Sequence, residues 1–284
     1  METTQDKRLR LIDFYLMFYG KVNRADLMKH GEISIATSSR AFNQYREVFG
    51  QNLVFDVGRK CYIRSDSFQP KFEHNAFAAL RLFAWGIEEN QVDINTYGVI
   101  NSERIIENLS PTIVSLVTQA IVERKALVVD YSSSNGQKTR TFSPHSVFFG
   151  LGSWHVRGWD SKANGGKGSG RSFKVSRIVS AQATENPQYV TQQEDKEWLT
   201  AVTLSLAPHT QHVNRDNLIW ELQMNGKPIR NLTTNAALAG YVLNDLRVDC
   251  SQDGILPPNV FGLQLMNRHE LEDVESIQAL APGY

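Results

Sequence analysis

The sequence is poor in the features that mark most specialised chemistries. It has two cysteines in 284 residues, Cys61 and Cys250, too far apart for a disulfide framework or a zinc pattern. No run of about 18 apolar residues occurs, so no transmembrane helix is expected. The opening METTQDKRLR is too polar for a secretory signal, and a soluble cytoplasmic protein follows as the expectation. The glycine-rich stretch 164–170, NGGKGSG, is not a phosphate loop, because Lys167 is followed by Gly168 where the Walker pattern needs Ser or Thr. No Gly-x-Gly-x-x-Gly follows a strand and no Gly-x-Ser-x-Gly elbow is present. His209 and His212 have a metal-like spacing without a third ligand nearby. Neither a metal nor a cofactor is expected.

Net charge is also lacking: 30 basic and 30 acidic side chains cancel. The cancellation is not local. Residues 1–69 carry 11 basic and 8 acidic residues (+3), 70–126 carry 5 and 7 (−2), 127–182 carry 8 and 2 (+6), and 183–284 carry 6 and 13 (−7). Asymmetry of this kind points to segments with separate tasks. With 41% hydrophobic residues the chain can bury a core.

The first segment reads helix, helix, turn, helix, hairpin. Leu9, Ile12, Leu16 and Tyr19 recur at helical spacing up to Gly20, Asn23 is placed to cap a helix over 24–30, and Ser34 to cap a third, IATSSRAFNQYREVF. Two β-type runs flank Val57-Gly58-Arg59-Lys60, a hairpin signal. This is the order of a winged helix-turn-helix, whose third helix enters the major groove. Phe42 and Tyr45 should face the core. Ser39, Arg40, Asn43, Gln44 and Arg46 are then available to base edges, since Arg reads guanine and Asn or Gln reads adenine bidentately. Thr37 and Ser38 at the helix start suit phosphate, and Arg59 and Lys60 form the wing tip. SIATSSRAFNQY resembles the recognition helix of DeoR-class bacterial regulators, with Phe42 at a usual Leu position and Ala41 where Asp is common.

Residues 70–125 predict a helical linker, including a helix opened by Ser110 and Pro111. Residues 126–182 change to short strands, the pattern of a small barrel or sandwich. Here Tyr131, Arg140, Trp154, Arg157, Arg171, Phe173 and Arg177 interleave arginines with aromatics, and only Asp130 and Asp160 are acidic over 127–182. Guanidinium groups bind phosphate bidentately and bases stack on aromatic rings, so an anionic nucleotide or nucleic-acid ligand fits. The competing possibility is that carboxylates from the −7 segment pair these arginines. Residues 183–284 mix strands with a helix over TNAALAGYVLNDL, with Leu238, Tyr241, Val242 and Leu246 as its expected buried face. LIWELQ reads as a strand, and Asn225-Gly226 as a hairpin turn.

Tyr131, Arg140-x-x-x-Pro144-His145, Gly152-x-Trp154 and Arg171-x-Phe173-x-x-x-Arg177-Ile178 resemble the WYL domain, an SH3-like β-barrel that senses ligands in bacterial regulators. Trp154-His155-Val156 stands in place of its Trp-Tyr-Leu, which introduces a ring that titrates near neutral pH. The whole layout resembles WYL-domain repressors of phage-defence islands, of the BREX and CBASS type. That resemblance implies an α+β chain: winged helix (1–69), helical linker (70–125), WYL-like barrel (126–182) and a small α/β C-terminal extension (183–284) that builds a homodimer. It implies a repressor of its own defence operon on a palindromic double-stranded operator. It places an effector pocket on His155, Arg157, Arg171 and Arg177, with Ser132, Arg140 and Phe173 nearby. Two alternatives use the same Arg/His pocket: a metal-independent nuclease or phosphodiesterase with His155 as general base, and a single-strand-binding module.

Overall fold

A computed structural model describes residues 3–85, 107–184, 188–224 and 226–284. The part of the expected helical linker over 86–106 and the turn residue Asn225 lie outside the described residues.

Helix α1 (Thr4–Tyr19) opens with a capping box, in which Thr3 and Asp6 exchange side-chain-to-backbone hydrogen bonds, and stops at Gly20. Helix α2 (Arg24–His30) repeats the device with Asn23 and Asp26. Helix α3 (Ile35–Phe49) is capped by Ser34, whose Oγ accepts from the Thr37 N–H at 3.2 Å. Strands β1 (Lys21–Val22), β2 (Leu53–Asp56) and β3 (Cys61–Arg64) form an antiparallel sheet in the order β1-β3-β2, with β2–β3 as the wing.

Helix α4 (Ala76–Trp85) follows, then α5 (Pro111–Glu123), capped by Ser110 with proline in its first turn. α5 lies against α1 and satisfies the carbonyls that a helix end leaves without intrahelical partners. Ser115 donates to the Met17 carbonyl and Thr118 to the Phe18 carbonyl, both at 2.6 Å, and Gln119 also reaches Met17.

Strands β4 (Leu127–Ser133), β5 (Gly136–Gly150), β6 (Ser153–Asp160), β7 (Ser169–Lys174) and β8 (Ile178–Ala183) form an antiparallel sheet ordered β7-β6-β5-β4-β8. Among the described residues β7 and β8 do not pair, so hydrogen bonding does not close the expected barrel. The runs KTRTF and SVFFG are one strand, β5, because a bulge between Pro144 and Ser146 absorbs the break. It lies beyond Phe142, where pairing with β4 ends.

The C-terminal part contains α6 (Lys196–Leu199), β9 (Ala201–Pro208), α7 (Arg215–Glu221), β10 (Arg230–Asn235), α8 (Ala236–Asp245), β11 (Val248–Asp249), β12 (Leu263–Leu265) and α9 (Glu275–Leu280). Its sheet runs β10-β9-β12-β11, with β11 parallel to β12. LIWE is therefore helical rather than a strand: Asn214 caps α7 by accepting from the Asn217 N–H. The buried face of α8 is Ala236, Ala239, Gly240 and Leu243 rather than the larger apolar residues expected, and Leu246 is exposed. Small residues let α9 come close, since a Cβ on Gly240 would lie 1.9 Å from the Ser276 carbonyl oxygen.

Two cores result. One runs without a break from Leu9 through the winged helix, α4 and α5 to the inner sheet face at Val129, Trp154, Val156 and Phe173. The other, centred on Leu204, Leu243, Val248 and Leu265, belongs to the C-terminal part.

Candidate nucleic-acid interface

Two side chains set the pose of α3. Phe42 is buried and stacks on Tyr62 of the wing with centroids 4.7 Å apart. Tyr45 is fully buried, and its hydroxyl donates to the Asp13 carboxylate of α1. Burial, reinforced by that bond, pushes the Tyr45 phenol far above its ordinary value. Asp13 also accepts from the backbone N–H groups of Lys71 (2.9 Å) and Phe72 (3.3 Å), and pairs with His74 Nε2 at 2.8 Å. A buried carboxylate needs this many donors, and here they tie the recognition helix to the start of the linker.

With that face fixed, Arg40, Asn43 and Arg46 stand exposed on the other side, with Ser39, Gln44 and Thr37 half-buried beside them. Thr37 hydroxyl lies 2.9 Å from that of Ser34. Ser38 departs from expectation: it is fully buried and its hydroxyl donates back to the Ile35 carbonyl at 2.8 Å, so it packs inward and does not face a phosphate. At the wing tip Arg59 and Lys60 are exposed, and the Arg59 N–H donates to Asp56 Oδ1 at 3.0 Å. Between α3 and the wing lies an open groove of about 1010 Å³ lined by Asn43, Arg46, Lys60, Phe55 and, from the start of α2, Asn23 and Arg24. The sequence marks Asn23 only as a cap and does not assign either residue to the interface. Their signal was the Asn23 cap, which fixes Arg24 as the first helical residue, exposed beside the groove.

The sheet tells a different story for its arginines. Register places His155 opposite Phe148 and Lys174, and Arg157 opposite Ser146 and Ser172. That face is covered by α6 and α8. Arg157 is buried: Nε and Nη2 grip both oxygens of Asp195 at 2.7 and 2.8 Å, and Nη2 meets Glu197 at 2.7 Å. The bulge aims His145 at the same Asp195, with Nε2 at 3.1 Å. Burial alone would raise the Asp195 carboxyl, but the hydrogen bonds from His145 and Arg157 and the Arg157 charge hold it well below the carboxylate range. Gly170 makes room for the pair, because a Cβ there would fall 2.4 Å from Asp195 Oδ1 and 2.5 Å from Arg157 Nη2.

His155 is also buried, stacked on Phe148 at 5.2 Å with the Tyr241 ring edge-on at 5.1 Å. Burial pushes its imidazole down to about 4, helped by Lys174 and Arg177 and opposed by the bond to the Ser153 carbonyl. It is neutral near pH 7, with Nδ1 carrying the proton because a carbonyl can only accept. This corrects the expectation of a ring that titrates near neutrality. Phe173 is likewise a core residue, stacked on Tyr131 at 4.5 Å, and not a ligand platform. Arg140 pairs with Asp160 at 3.3 Å and Arg171 with Glu275 of α9 at 3.2 Å. Ser132 and Arg177 are exposed. The structure therefore brings His155 and Arg157 together, as expected, but beneath the C-terminal part, with Arg157 already neutralised. Among the described residues no group of three potential metal ligands occurs.

Comparison with known proteins follows the same layout. Residues 4–85 match the BrxR transcriptional regulator winged helix-turn-helix domain, 112–183 the WYL domain, and 201–271 the BrxR transcriptional regulator C-terminal dimerization domain. The chain belongs to the WYL-domain transcriptional regulators of the BrxR/CapW type. Its BrxR/CapW relatives include the DNA-binding transcriptional repressor CapW of Stenotrophomonas maltophilia, 29% identical over 72% of this chain and 70% of the relative. CapW of Escherichia coli is 26% identical over 94% and 90%, and CapW of Pseudomonas aeruginosa 26% over 95% and 91%. A solved CRISPR Cas-related protein covers 63% of this chain and 53% of its own at 9% identity, with a TM-score of 0.33. The relatives of this BrxR/CapW-type chain are regulators, so it is a regulator and not an enzyme.

Proposed function

We propose that the protein is a dimeric, sequence-specific repressor that binds a palindromic operator upstream of its own phage-defence operon. The observation that carries the reading is the groove between α3 and the wing. A DNA backbone laid in it would meet Arg24, Arg46 and Lys60, while Arg40 and Asn43 reach base edges. Work on DNA implies a cytoplasmic location, and no helix among the described residues is long and apolar enough to cross a membrane. Support for a dimer comes from the C-terminal part, where Val213, Trp220 and Ile255 are strongly exposed. Exposed tryptophan is a common anchor of protein interfaces.

The anionic-effector reading rests on Arg171 and Arg177 at the edge of the sheet, with Ser132 exposed on β4. An anion that reached Arg157 would have to displace Asp195 and Glu197, and would loosen α6 where it enters the C-terminal part. That is a differential interaction with two arrangements, which any ligand-driven release from DNA requires.

The test is a gel-shift titration on the upstream region and on a scrambled duplex. The intact protein should prefer the former, and Arg40→Ala should lose roughly 1–3 kcal/mol of that preference. Equal affinity for both duplexes, or an unchanged Arg40→Ala variant, overturns the reading.

A further inference from the structure

A second cavity lies on the winged helix, away from the groove. It has a volume of about 430 Å³ and is walled by α1, the end of α2 and α4. Lys7 and Arg8 of α1 and Lys29 of α2 stand around it. Arg8 Nε is shielded from solvent and has no hydrogen-bond acceptor among the described residues, a state that costs free energy unless a ligand supplies one. Leu11, Phe14 and Leu82 give it an apolar wall, and Glu32 and Glu73 also line it.

We propose that this cavity is a binding site for a mononucleotide. The size lies within the range of small-molecule sites. The cations suit a phosphate, with Arg8 offering the directional donor. The apolar wall suits a base, and the two carboxylates can accept from an exocyclic amino group or ribose hydroxyls.

The site is wired to the recognition helix from two sides. Glu32 belongs to the turn that leads into the Ser34 cap of α3, held at φ +48°. On the opposite wall His74 bonds Asp13, the carboxylate that takes the Tyr45 hydroxyl of α3. A bound nucleotide touches both anchors and so changes operator affinity. This coupling rests on the DNA-binding reading, whereas the binding itself does not.

The experiment is calorimetric titration of the full chain with AMP, inorganic phosphate and adenosine. AMP should bind at least tenfold more tightly than either fragment. Arg8→Gln and Lys29→Gln should each weaken AMP about tenfold, which corresponds to about 1.4 kcal/mol, while Arg215→Gln on the exposed face of α7 changes it less than twofold. Operator affinity, read by fluorescence anisotropy, should shift on adding AMP to the intact protein and not to Arg8→Gln. Absence of heat at millimolar AMP overturns the site. Phosphate binding as tightly as AMP overturns the nucleotide assignment. AMP binding that survives both cavity variants and is lost in Arg171→Gln moves the ligand to the sheet. AMP binding without a change in operator affinity overturns the coupling alone.

Discussion

On the winged helix, Arg40 stands in solvent, and Arg24, Arg46 and Lys60 line an open groove. On the sheet, which carries twice the positive excess, Arg140, Arg157 and Arg171 each end on a carboxylate. Asp195, Glu197 and Glu275 come from the strongly acidic C-terminal segment, Asp160 is the sheet's own, and Glu107, ahead of α5, reaches Lys174 at 3.8 Å. The weaker excess is the accessible one. Charge counted along a segment measures what must be neutralised, and only the fold decides whether a ligand or the chain itself does so.

The largest expected effect breaks the sheet side of this contrast. Arg157→Ala leaves Asp195 buried without its main partner and should cost about 3–5 kcal/mol of stability. A urea melt measures it, and an unchanged midpoint would show the pair to be solvated. Next comes pH. The folded-state pKa of His155, about 4, lies below the ordinary imidazole value of 6.5, so the unfolded chain binds more protons in that window. The contribution is complete above pH 6.5 and declines as pH falls towards 4, by roughly 3 kcal/mol in all. His155→Phe keeps an aromatic ring against Phe148 and should flatten the stability profile between pH 7.5 and 5. A profile parallel to that of the intact protein would contradict the assignment.

A smaller effect tests the open side. Lys60→Ala should weaken binding to all duplexes alike and reduce the log–log salt slope by about one. A sequence-dependent loss would instead place Lys60 on a base. Smallest is Arg171→Ala. Its pair with Glu275 is half-exposed on both sides, so stability should change by about 0–1 kcal/mol, less at high salt. A larger loss would mean that this contact, and not Arg157, holds the C-terminal part to the sheet.

The N-terminal elements were legible because their signals are local. Asn23, Ser34 and Ser110 act as caps where the sequence placed them, and Phe42 and Tyr45 face inward at helical spacing. Features set by distant contacts were not. Ser38 stands apart, because its burial was legible at helical spacing: it lies four and seven residues before Phe42 and Tyr45 on one face of α3, where no phosphate is within reach. Phe173 and Arg157 share a strand pattern with ligand platforms, and what separates them from that role is Tyr131 on one face and Asp195 on the other. The face of α8 was misread because hydropathy favours large residues, whereas close helix packing selected Ala239 and Gly240.

The hydroxyls of Ser115 and Thr118 on the terminal carbonyls of α1 have a mechanical meaning. They weld the last turn of the first helix to the helix that carries the sheet, inside one continuous core. The winged helix is thus joined to the sheet through one packed core, and the two would move together as an arm. In a dimer held at its C-terminal ends, a small change of angle there is magnified along the arm. It would be read at the far end as a change in the spacing between two recognition helices.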